Sequence, residues 1–198
     1  MIIRKRFRVE SSHVVRNCTS ERCSHSHHGH SAVIDVFFEG RKLDNAQMLM
    51  DFGLMKGSIK DFIDSMDHCA LICTKDDPEY VEFFKKFNDR YILIPFNPSA
   101  EMLSIFIMHY INRILDNTQF HNGEDDRVRC VNVEYNETVT GMARCDEMDE
   151  EINWNPKWED EIVFSDGVKR DWSQSLKDFI ETGKYIINPV IPQQINLD

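Results

Sequence analysis

Two stretches of alternating residues, 2–10 and 30–39, bracket a loop crowded with histidine and cysteine. Ile3, Lys5, Phe7 and Val9 alternate with Ile2, Arg4, Arg6 and Arg8, a period of two with one mostly apolar face, which predicts a β-strand. Ser31-Ala32-Val33-Ile34-Asp35-Val36-Phe37-Phe38 is rich in β-branched and aromatic residues and predicts a second strand. A hairpin of the two brings His13 beside His28 and His30, so strand pairing decides what the loop's side chains can do together.

Five histidines (His13, His25, His27, His28 and His30) fall within eighteen residues. Residues two apart in a strand point the same way, so His28 and His30 share a face, and Gly29 between them leaves room for close backbone approach. With His13 alongside, three neutral imidazoles converge on one position suited to zinc. The fourth coordination position is left for water or substrate, which a catalytic zinc needs and a structural zinc avoids. His27 points away from His28, and it and His25 are set aside. A structural zinc built from Cys18, Cys23 and two histidines is an alternative, which would make the domain a metal-stapled binding module. Adventitious metal binding by a His-rich loop is another.

The 198 residues, 41% hydrophobic and 29% charged, suit one globular domain, or one domain with an extension. No apolar run approaches a membrane span, and Met1–Phe7 has basic residues without the apolar stretch of a signal peptide. The six cysteines (Cys18, Cys23, Cys69, Cys73, Cys130 and Cys145) then read as reduced thiols and the setting as cytoplasmic. A formal net charge of −11 argues against a direct nucleic-acid or anionic-membrane partner.

Met55, Ile59, Phe62 and Met66 recur on one helical face after Asp51, a possible cap. A second helix starts near Asn97-Pro98-Ser99, with Ser99 as cap and Glu101 suited to the first turn. Between them lie a turn at Thr74–Glu79 and a short helix or irregular piece to about Tyr91. Residues 127–135 predict a third strand with Val131, Val133 and Tyr135 on one face. A fourth is expected to run from Glu137 through Val139 to Ala143. The order is β-β-α-α-β-β, an α+β arrangement. Half of the sixteen residues from Asp146 to Glu161 are acidic, and 146–198 reads as an acidic C-terminal extension of mixed helix and loop, fraying near Pro189 and Pro192.

Several motifs, in order, resemble those of the 6-pyruvoyltetrahydropterin synthase and 6-carboxytetrahydropterin synthase family. Ser11-Ser12-His13, Cys23 and His28-Gly29-His30 are similar to its zinc signature. Met50-Asp51-Phe52-Gly53-Leu54-Met55-Lys56 resembles its Val-x-Asp-Phe-x-x-Leu/Met-Lys stretch, and Asp67-His68 its Asp-His pair. Asn97-Pro98-Ser99-Ala100-Glu101-Met102-Leu103 resembles Asn-Pro-Thr-x-Glu-Asn-Leu, and Val133–Thr138 resembles Val-x-x-x-Glu-Thr. The likeness covers about residues 2–145, giving a domain over 1–145 and leaving 146–198, absent from minimal members, without a role. Cys69-Ala70 follows the Asp-His pair where Leu-Asn is common.

The resemblance implies an α+β tunnelling fold with antiparallel strands and helices on one face. Members associate through their sheets, usually as a hexamer built from two trimers. It implies Zn2+ on His13, His28 and His30, with Cys23 (or, less favoured, Cys18) as general base. Asp67 and His68 would form an acid/base relay, and Glu137 would anchor the pterin. The implied substrate is 7,8-dihydroneopterin triphosphate. The favoured outcome is 6-carboxy-5,6,7,8-tetrahydropterin with acetaldehyde and triphosphate, on the way to 7-deazaguanines such as queuosine. The alternative is the pyruvoyl product on the tetrahydrobiopterin route. Such an anionic substrate on an acidic chain calls for a local basic patch, for which Arg16, Arg22 and residues of a neighbouring subunit are candidates. Without the resemblance, Asp67-His68 reads as a helix C-terminal cap, Glu137 as an exposed strand-end carboxylate and Cys23 as an inert small residue.

Overall fold

β1 (Ile2–His13) and β2 (His28–Glu39) form an antiparallel hairpin in unbroken register, from Ile2↔Glu39 to His13↔His28. The computed structural model describes residues 1–120, 128–186 and 194–195; Pro189 and Pro192 lie outside them. β5 (Arg129–Asn136) pairs antiparallel with β2, and β6 (Met142–Asp146) with β5. On the other side of β1, β3 (Cys69–Cys73) runs parallel to it, β4 (Tyr91–Ile94) runs parallel to β3, and β7 (Val163–Phe164) ends the sheet. The strand order is β6-β5-β2-β1-β3-β4-β7.

The order expected from sequence captures β1, β2, β5 and β6 but omits β3, β4 and β7. Cys69-Ala70-Leu71-Ile72-Cys73 and Tyr91-Ile92-Leu93-Ile94 are short and covered on both faces, so they carry no alternation to read. Cys69 and Leu71 face the main core, while Ala70 and Ile72 join Phe84 and Leu93 in a smaller cluster on the opposite side.

Helices α1 (Glu21–His25), α2 (Ser58–Asp64), α3 (Pro78–Phe87) and α4 (Ala100–Asp116) connect the strands. α2 and α4 bury their apolar faces in the main core; Met55, Ile59, Phe62 and Met66 are fully buried, as their spacing requires. Helices are not confined to one face, because Phe84 seats α3 on the other. Ser99 caps α4 by accepting from Met102 N–H. Asp51 instead accepts from Gly53 N–H at 2.5 Å, closing a local turn ahead of the 3-10 turn Leu54–Lys56, and Gly57 precedes α2.

Two sequence expectations fail locally. In β5 the register shifts so that Phe37 faces Asn132 and Phe38 faces Cys130, making Val131 the extra residue of a bulge. The face that holds Val133 and Tyr135 therefore continues through Cys130, not Val131. Val139 lies fully exposed in the turn before β6, which starts only at Met142.

The acidic segment carries α5 (Glu147–Asn153), β7, α6 (Asp166–Lys169) and α7 (Gln174–Thr182). It adds Trp154, Phe164, Val168, Trp172, Leu176 and Phe179 to the same core as the sheet. His109 of α4 stacks on Trp154 (centroids 4.1 Å apart) and is held between Glu150 and Glu159, at 2.6 and 2.8 Å. The acidic residues thus crowd the composition while widely spaced aromatics do the packing. Among the described residues no helix is long and apolar enough to cross a membrane.

Past the end of β6, Asn112 of α4 replaces a strand: its side chain accepts from Cys130 N–H at 2.9 Å and donates to Cys130 C=O at 3.0 Å, both buried. Asn112→Ala orphans both backbone groups and should destabilise the chain by about 3 kcal/mol in urea denaturation, against about 1 kcal/mol for a surface change.

Candidate metal centre and active site

The hairpin register sets the site. His13↔His28 is the last pair of the ladder and Ser11↔His30 lies two steps inward, so the three histidines share the core-facing side. A β-carbon on Gly29 would sit 2.9 Å from the Ser11 carbonyl oxygen, so this crossing is built for glycine. The rings pack at centroid separations of 4.8, 5.2 and 5.0 Å, and one nitrogen from each lies within 4.8 Å of the others.

Two rings are locked in one tautomer. His13 Nδ1–H donates to the Pro98 carbonyl at 2.7 Å, and His28 Nδ1–H to the Ser26 carbonyl at 2.9 Å. Each bond turns the Nε2 lone pair toward the cluster. His13 is 3% exposed, and its Nε2 is buried with no hydrogen-bond partner. Burial lowers the His13 imidazole to about 4; the Pro98 bond opposes this and the His28 and His30 rings add to it. The ring is therefore neutral at neutral pH, as a metal ligand must be. An orphaned, neutral, tautomer-locked nitrogen facing two further imidazoles fits a divalent cation such as zinc. Glu137 Oε1 reaches in at 3.6 Å from His13 Nε2 and 3.9 Å from His30 Nε2.

His27 lies on the opposite side, between Tyr80 Oη and Ser12 Oγ at 2.8 Å each, with its ring on Phe84. Cys23 is half-buried on α1, and its carbonyl accepts from Val15 N–H at 2.9 Å, which folds α1 back beside the end of β1. Cys18 Sγ donates to the Ser20 carbonyl. Burial raises the other four thiols, Cys69 to about 12, which removes them as bases.

Asp67 and His68 sit where α2 meets β3. His68 Nδ1–H donates to Asp67 Oδ2 at 2.9 Å, while Asp67 Oδ1 accepts from Glu10 N–H at 2.7 Å. The pair therefore does not cap α2; it docks on β1. The exposed His68 and His30 line one cavity of about 350 Å³.

Arg16 does not supply a free cation. Its Nε donates to Asp76 at 2.8 Å and its Nη1 to the Ser24 carbonyl at 2.7 Å, so it staples the loop that carries Cys23. Arg22 is exposed on α1 and retains its candidacy. Sequence reading missed the Pro98 carbonyl, which acts through its backbone and left no residue-type signal.

The fold belongs with tunnelling-fold proteins. An uncharacterized protein from Wolinella succinogenes superposes with a TM-score of 0.59 at 20% identity, over 74% of this chain and 98% of its own. 6-Pyruvoyl tetrahydropterin synthase from Caenorhabditis elegans gives 0.51 at 17% identity, over 74% and 94%. The family model for 6-pyruvoyl tetrahydropterin synthase matches residues 2–148. A 6-carboxy-5,6,7,8-tetrahydropterin synthase of Helicobacter pylori is 38% identical over 90% of this chain and 89% of its own length. One from Aquifex aeolicus is 31% identical over 59% and 71%. The chain belongs to the 6-pyruvoyl tetrahydropterin synthase family, a family of pterin synthases.

The His13 geometry predicts about one zinc ion bound per chain. His13→Ala and His30→Ala should each weaken zinc binding by more than ~100-fold in competition with a chromophoric chelator, while His27→Ala leaves it within about twofold.

Proposed function

We propose that the chain is a zinc-dependent 6-carboxy-5,6,7,8-tetrahydropterin synthase. In this reading it converts 7,8-dihydroneopterin triphosphate to carboxytetrahydropterin, acetaldehyde and triphosphate, toward 7-deazaguanines such as queuosine. The observation that carries this is the likeness to the Helicobacter pylori enzyme. It covers 90% of the chain, more than residues 2–148 hold, and so reaches into the C-terminal segment.

His13, His28 and His30 would hold the metal, which when bound supplies Lewis acidity toward the oxygens of the substrate side chain. Cys23, brought beside the end of β1 by α1, takes the proton from the side-chain carbon. Asp67 holds the His68 imidazole by Nδ1–H, leaving Nε2 to move a proton in the cavity shared with His30. The Glu137 carboxylate, with Oε1 beside the His13 and His30 rings and a second acceptor oxygen, suits the amino-pyrimidinone edge of a pterin.

Homo-oligomerisation, as a hexamer of two trimers, is part of the same reading. β3 covers β1 only over Ser11–His13 and the Asp67–His68 turn takes Glu10, which leaves Ile2 to Val9 available on one side of the sheet, with β6 at the other edge. Two different edges suit head-to-tail closure into a ring.

Incubating zinc-loaded protein with 7,8-dihydroneopterin triphosphate should yield carboxytetrahydropterin by mass spectrometry, with acetaldehyde in a separate assay. Pyruvoyltetrahydropterin without acetaldehyde would overturn the carboxy assignment. Cys23→Ala should lose turnover by at least ~100-fold while keeping its zinc. Chelation should abolish activity before circular dichroism reports unfolding, because the core does not depend on the metal.

A further inference from the structure

The turn that carries Asp67 and His68 is held by residues distant in sequence. His68 has φ of 52°, in the left-handed region that a residue with a β-carbon rarely adopts. On the β1 side, His68 N–H donates to the Glu10 carbonyl at 2.6 Å. On the other side, Arg90 spreads its guanidinium across the turn and the C-terminal segment. Nε donates to the Asp67 carbonyl at 3.1 Å and Nη2 to the Asp64 carbonyl at 3.0 Å. Nη1 reaches the Gly167 carbonyl at 3.0 Å and Asp171 at 2.5 Å.

The C-terminal segment reinforces the same turn directly. Trp172 Nε1–H donates to Ser65 Oγ at 2.6 Å in a buried setting, and Ser173 N–H donates to Asp61 at 3.0 Å. Ser165 Oγ donates to the Asp89 carbonyl at 2.9 Å and accepts from Tyr91 N–H at 3.1 Å, fixing the residues on either side of Arg90. At Gly167 a β-carbon would lie 2.2 Å from the Asp89 carbonyl oxygen, so the two backbones are in direct contact. Arg90 and His68 both line two cavities of about 350 Å³. One also holds His30, and the other is closed by Trp172 and Asp171.

We propose that Arg90, backed by Trp172 and Asp171, is a positioning residue for the Asp67–His68 pair, and that the C-terminal segment serves as its brace. Arg90 fixes the Asp67 and Asp64 carbonyls, and with them the backbone that carries the imidazole. The planar fork is essential to this, because a lysine ammonium cannot span three carbonyls on two elements. The proposal rests on Asp67 and His68 being the proton relay of the proposed function.

The test uses full-length, zinc-loaded protein and 7,8-dihydroneopterin triphosphate, with zinc content and circular dichroism measured for each variant. Arg90→Lys and Trp172→Phe should each lower kcat about tenfold or more, with KM within about twofold and zinc content unchanged. In a His68→Ala background, adding Arg90→Lys should cause no further loss, because nothing is left to position. Wild-type kcat in both single variants overturns the proposal, as does a double variant whose losses multiply. Should Arg90→Lys fail to fold, Trp172→Phe with and without His68→Ala makes the same comparison. Undiminished turnover by His68→Ala itself would overturn the relay and the brace together, and is read without any Arg90 variant.

Discussion

The His13 ring joins the sheet, a helix start and the histidine cluster in one contact. Its position at the end of the hairpin ladder comes from strand register, and the ring is buried there. Its single hydrogen bond runs to the carbonyl of Pro98, two residues before α4 begins. Asn97, one residue earlier, clamps both backbone groups of Arg16, at 3.0 and 2.7 Å. The stretch that starts α4 therefore fixes the tautomer of one of the three histidines and the path of the loop carrying Cys23.

Much of this was readable in the chain, and the boundary of what was readable has a physical cause. His13, His28 and His30 could be grouped because strand alternation and pairing are properties of spacing. Met55, Ile59, Phe62 and Met66 were legible for the same reason at helical period. β3 and β4 were not, because strands buried on both faces lose their alternation. The Val131 bulge hid the true inward face of β5, since one extra residue inverts every assignment beyond it. Contacts through backbone atoms, such as Pro98 to His13 or Arg90 to three carbonyls, depend on tertiary placement and leave no motif. Arg16 was legible as a cation and illegible as a partner, because Asp76 is sixty residues away.

The acidic character of the chain takes a different meaning in the folded protein. Glu150 and Glu159 grip His109, and Arg113 adds a further bond to Glu159 at 2.9 Å. Asp171 and Asp89 hold Arg90 and Arg170. Part of the negative charge is thus spent within the molecule, fastening the C-terminal segment to α4 and to β4. The histidine cluster draws on other groups: the His13, His28 and His30 rings, with the Glu137 carboxylate beside them.

β7 supplies only Val163 and Phe164, yet it covers the edge of β4. Very short edge strands are one way a sheet avoids offering a template to another chain. Here that cover is made late. Ile92 and Leu93, the residues β7 pairs with, leave the ribosome some seventy residues before Phe164 does. During synthesis the nascent sheet therefore passes through a stage with an apolar edge open, and in that interval chaperone binding would matter most.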